Sequence, residues 1–182
     1  MHEREGRKTT ILLFKNYALF YFVCGRDGKP VYQIKSERFW KGEKKIVDLN
    51  HKKIYTTGRK IIREAGHEET LRYLIYRSSP KDVVATASLI YAGEVDEKQI
   101  FYRLPQVTEL AIHSIYGGLH IKQAENGLLL ITAQKEAIGK ITSHHAFQDI
   151  VLSCEGIDDQ GFLSALFVLS QYMVHENDLI VV

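Results

Sequence analysis

Nine basic residues fall within 26 positions: Lys35, Arg38, Lys41, Lys44, Lys45, Lys52, Lys53, Arg59 and Lys60. Side chains of this kind neutralise phosphate oxygens, lysine as a point charge and arginine as a planar fork. Phe39, Trp40 and Tyr55 are interleaved with them. Trp40 is the only tryptophan and falls in an expected turn, where an indole either rests at a lipid interface or caps a core. The bias extends beyond this stretch. Residues 1–63 hold 16 Lys+Arg against 6 Asp+Glu, a balance of +10, whereas residues 64–182 balance at −8. A directional charge on a nearly neutral chain suits anionic lipid headgroups, nucleic acid or an acidic protein. Lysines that protect strand edges from pairing would give the same pattern.

Other chemistries find less support. His144 and His145 are adjacent, so on a strand they point to opposite faces and chelate one metal poorly. His113 and His120 lie on neighbouring strand candidates without a third ligand. Cys24 and Cys154 are far apart, form no CxxC, and read as buried free thiols of a reducing compartment. There is no GxSxG, no P-loop and no dinucleotide fingerprint; "GRDGKP" is followed by a strand pattern and opens no helix. Asp158-Asp159 reads as a helix start and Glu68-Glu69 as a solvated loop. The expectation is a non-enzymatic protein with no cofactor and no metal.

The elements that must position the basic stretch are short. A chain with 45% apolar and 25% charged residues is ordinary globular material, and no linker-like tract divides it, so residues 1–182 read as one domain. Lys15 and Asn16 interrupt the N-terminal apolar run, and no small-residue cleavage site follows, which argues against a secretory signal. From residue 10 to about 155, apolar runs alternate with turn signals such as Asp27-Gly28 and Asn126-Gly127, giving eleven or twelve strand candidates. In "VYQIKS", Val31, Gln33 and Lys35 share one face and Tyr32, Ile34 and Ser36 the other. Residues 58–70 alone suggest a short helical turn, and Pro105 marks an edge or break.

"GFLSALFVLSQYMV", residues 161–174, is different: apolar at nearly every angular position. Asp158 or Asp159 can cap a helix running to about His175. Its 14-residue apolar core spans ~21 Å at 1.5 Å per residue, short of the ~30 Å of a bilayer's hydrocarbon layer. A helix that is apolar all round belongs inside something, and the preceding strands must wrap it. The expected fold is therefore mostly β (α+β): a closed antiparallel barrel of about twelve strands around one buried C-terminal helix, with the final "DLIVV" as a short strand closing the barrel or its rim.

This outline resembles the tubby C-terminal-domain-like superfamily. Gly28, Val31 to Lys35, Phe39 to Gly42, Ile46 to Asp48 and Ile54 to Thr57 resemble the LURP-one-related and phospholipid-scramblase-like branch, as does the Asp-led apolar ending. The resemblance implies a binding module for anionic phospholipid or phosphoinositide, cytoplasmic and peripheral to the membrane, using the nine basic residues with Trp40 as the interface residue. Nucleic-acid binding with a transcription-associated role, or a protein-interaction scaffold, are the alternatives. Some scramblase-like relatives respond to calcium, and Asp158, Asp159, Glu176 and Asp178 are the acids that would serve it here, without EF-hand spacing.

Overall fold

A computed structural model describes residues 8–17, 20–36, 42–62, 70–92, 106–124, 127–142 and 149–178. Twelve strands and one helix follow in chain order: β1 Thr9–Tyr17, β2 Phe20–Cys24, β3 Pro30–Ser36, β4 Lys44–Asp48, β5 Lys53–Ile62, β6 Thr70–Tyr76, β7 Val83–Tyr91, β8 Val107–Ser114, β9 Gly117–Gln123, β10 Leu129–Ala133, β11 Glu136–Ile141, β12 Ile150–Glu155 and α1 Gln160–Asp178. Each strand pairs antiparallel with the next, and β1 pairs with β12 to close the barrel. The strands thus go round in sequence order, as expected where short turns join them. Closure removes the free sheet edges that would otherwise template aggregation.

Period-2 alternation decides which side chains enter the lumen. On β1, Thr10, Leu12 and Phe14 are buried, while Ile11, Leu13 and Lys15 between them are partly exposed. Ile34, Ile46 and Tyr55 stand in one cross-strand row and are all buried. The lumen holds α1. An α-helix with side chains is about 10–12 Å across, and an eight-stranded barrel has room only for side chains, so a larger strand number is what admits a helix.

Every residue from Gly161 to Ser170 is buried. Phe167 stacks on Phe14 with centroids 3.9 Å apart and meets the edge of Tyr21 at 5.4 Å. Phe162 packs against Tyr116 and Tyr55, and Tyr172 stacks on Tyr73. The two polar residues in the buried stretch are satisfied locally: Ser164 donates to the Gln160 carbonyl and Ser170 to the Phe167 carbonyl, both at 2.7 Å.

Several expectations shift. The N-cap is Asp159, with the helix starting at Gln160 and running to Asp178 rather than His175. The barrel closes through β1 and β12, not through the C-terminal "DLIVV"; residues 179–182 lie outside the described residues. Residues 58–62 belong to β5 instead of a helical turn, because they pair with β6. Glu68, Glu69, Pro105, His144 and His145 lie outside the described residues.

Candidate phosphate-binding face

The site is built on β3, β4 and β5, whose register sets where each basic side chain points. Lys35 and Lys45 stand directly opposite each other on the outer side of the wall, both half-buried, on the same row as the buried Thr56. Like charges placed opposite across strands destabilise a sheet. The Lys35 ammonium reaches the Nδ1 of His51, 3.3 Å away, in the β4–β5 turn. Lys60 is also outward, across from Arg72 on β6, whose Nε is buried without a hydrogen-bond partner among the described residues.

Lys44 and Arg59 take the other face. Lys44 shares the row of Ser36 and Thr57, and its ammonium donates to the Ser36 hydroxyl. Burial pulls the Lys44 pKa below its ordinary value. Arg59 sits opposite Tyr73, on the lumen side, at the barrel end where α1 finishes. Its guanidinium fills the space against Gly42, where a Cβ would lie 3.0 Å from Nε; with φ +64° as well, that position suits glycine. Lys52 and Lys53 are at the opposite end of the barrel, where the Lys53 ammonium donates to the Ser78 carbonyl at 3.0 Å. The structure thus brings Lys35, Lys45 and Lys60 to one outer face and separates Lys44 with Arg59 and Lys52 with Lys53 from them. Arg38, Trp40 and Lys41 lie outside the described residues.

Strand order amplifies the sequence asymmetry. Strands β1 to β6 carry Lys15, Lys35, Lys44, Lys45, Lys53, Arg59, Lys60 and Arg72, eight cations, against the single carboxylate Asp48. That carboxylate is engaged in its own turn, accepting from the backbone N–H groups of Asn50 and Lys52. Strands β7 to β12 carry Lys122 and Lys140 against Glu109, Glu136 and Glu155. There Glu109 bridges Lys122 at 3.1 Å and also meets His120. Because β1 to β6 are consecutive round the wall, one half of the barrel is basic and the other nearly balanced.

The outer wall also carries a feature the motif reading passed over. Tyr21 and Val23 point inward on β2, so Phe20 and Phe22 point outward, where they meet Tyr17 of β1. Phe20 and Phe22 pack edge to face at 5.3 Å, and Tyr17, half exposed at 50%, completes the group. Ile11 and Leu13 extend the apolar surface along β1. The signal that could have revealed it is that "FYFVC" is apolar at every position, so the two-residue pleat must turn some of its rings outward.

The remaining polar cluster is structural. Asp159 Oδ1 accepts the Phe162 N–H at 2.8 Å, capping α1. Its Oδ2 accepts from the Tyr55 hydroxyl at 2.6 Å and the Tyr116 hydroxyl at 2.9 Å. Burial and the hydrogen bond to Asp159 push the Tyr55 pKa up to about 12, and the same two causes raise that of Tyr116. Cys154 is fully buried, and burial raises its thiol to about 11, which makes it inert near neutrality. Among the described residues no group of three or more His, Cys, Asp or Glu could hold a metal ion.

This barrel-and-helix architecture has a counterpart among solved structures. The X-ray structure of the Arabidopsis thaliana protein AT5G01750 superposes with a TM-score of 0.57 at 11% identity, covering 90% of each chain. At that identity the likeness concerns the fold alone. No protein-family model matches the chain, and no curated protein matches it.

Proposed function

We propose that this protein is a non-enzymatic, tubby-like binding module of the LURP-one-related or scramblase-like kind, recognising anionic phospholipid or phosphoinositide headgroups through its basic half-barrel. The observation that carries this reading is the eight-to-one excess of cations over carboxylates on β1 to β6. Each lysine or arginine near an anionic membrane surface contributes about 1 kcal/mol, and the attraction fades beyond a Debye length. The association is peripheral. No helix among the described residues is long and apolar enough to cross a membrane. Lys35, Lys45 and Lys60 also stand on outward strand positions, where a membrane-spanning barrel presents an apolar band. Cytoplasmic placement is part of the same proposal, since that leaflet carries the anionic lipid.

Vesicle flotation tests it. Binding to phosphatidylcholine vesicles only after phosphatidylserine or a phosphoinositide is added, and loss of that binding as salt rises, is the expected result. Equal recovery on neutral and anionic vesicles overturns it. Steeply salt-dependent capture of nucleic acid with none on vesicles favours the nucleic-acid alternative instead.

A further inference from the structure

The outer aromatic group lies beside the lysines in a geometrically defined way. Register partners form one continuous row across four adjacent strands: Tyr17, Phe20, Lys35 and Lys45. Lys15 stands opposite Phe22 in the next outward row. Three aromatic rings packed on one another and flanked on the same surface by three lysines form an amphipathic patch. A tyrosine settles at the headgroup level of a bilayer and phenylalanines enter the headgroup–acyl boundary, while lysines beside them reach anionic headgroups.

We propose that Tyr17, Phe20 and Phe22 are the element that inserts into the interface of an anionic bilayer, with Lys15, Lys35 and Lys45 as its electrostatic collar. The proposal rests on the anionic-lipid reading above and adds to it an insertion site and an orientation. The barrel lies with the outer wall of β1 to β4 on the membrane. Charge complementarity selects this occupant. An apolar protein partner would account for the rings but not for lysines at both borders. The close mutual packing of the rings also leaves them less free to receive successive bases, as a stacking platform for single-stranded nucleic acid would.

The test uses the full chain and vesicles of phosphatidylcholine with and without phosphatidylserine. Phe20→Ser with Phe22→Ser is expected to weaken partitioning onto anionic vesicles by about tenfold or more while leaving the thermal melt cooperative. Lys35→Glu with Lys45→Glu is expected to abolish the preference for anionic over neutral vesicles. Independently of any loss of binding, Phe20→Trp in a Trp40→Phe background is expected to show fluorescence quenching by lipids brominated near the top of the acyl chain. A double serine variant that binds like wild type, together with an unquenched reporter, overturns the insertion site; if the lysine variant still loses its preference, the anionic-lipid reading survives that failure. If the wild type ignores anionic vesicles, both ideas fall. A folded serine variant that binds vesicles normally but loses a wild-type dimer makes this face an interface between copies and also overturns the proposal.

Discussion

At the scale of single residues, Asp159 concentrates the most consequences. One carboxylate caps α1 and receives two tyrosine hydroxyls, tying the helix start to β5 and to the β8–β9 turn. Loss of a cap costs about 1 kcal/mol, and a buried polar group left without its partner about 1–3 kcal/mol. Asp159→Ala is therefore expected to lower stability by roughly 2–4 kcal/mol in urea unfolding. Asp159→Asn, which keeps an acceptor for the cap, should cost less. The tyrosines add a pH signature. Burial raises Tyr55 and Tyr172 to about 12, above the ordinary tyrosine value. Their protonated forms are favoured in the folded state, so their contribution is complete below about pH 10 and is lost between about pH 10 and 12. Stability measured across that window should fall, and Tyr55→Phe together with Tyr172→Phe should flatten the decline. The acid pair was legible in the sequence as a helix start. Which of the two carboxylates caps was not, because that depends on where Tyr55 and Tyr116 place their hydroxyls.

At the scale of elements, the helix and the wall depend on each other. Phe167 is fully buried between Phe14 and Tyr21, so Phe167→Ala should cost about 3–5 kcal/mol in chemical denaturation, the range for truncating a core phenylalanine. Gly139 shows the same tightness between strands: a Cβ there would meet the Ser153 carbonyl oxygen at 2.4 Å, so Gly139→Ala must push β11 from β12 and lower the melting temperature. Register also gives the basic strands an opposing pair of demands. Lys35→Glu would face Lys45 as an opposite charge, worth about 0.2–1 kcal/mol across strands. It should hold or raise stability while weakening anionic vesicle binding, and a paired melt and flotation measurement reads both. The alternation of "VYQIKS" made the outward face of β3 readable in advance. The lumen-side placement of Lys44 and Arg59 was not readable, because near a barrel end an inward position is also open to water and tolerates a charge.

At the scale of the whole molecule, sequence order and spatial order coincide. In a meander barrel, the basic first third of the chain becomes a basic arc of wall with no further arrangement. This also predicts how binding responds to ionic strength. Reversing Lys35 and Lys45 should reduce the salt dependence of vesicle binding, whereas removing Phe20 and Phe22 should leave that dependence in place and lower affinity at every salt concentration. Composition and patterning by themselves determined the strand-rich class, the β2–β3 turn at Asp27-Gly28, the burial of the C-terminal helix and the one-sided charge, because each follows from local periodicity or from a simple count. Only the tertiary structure decided that β1 meets β12, that the seven described members of the basic cluster divide among an outer face and two barrel ends, and that Tyr17, Phe20 and Phe22 form one patch beside lysines of β3 and β4. Those outcomes depend on cross-strand register and barrel closure. They are set by how the whole wall fits round its helix, and no short window of sequence contains that information.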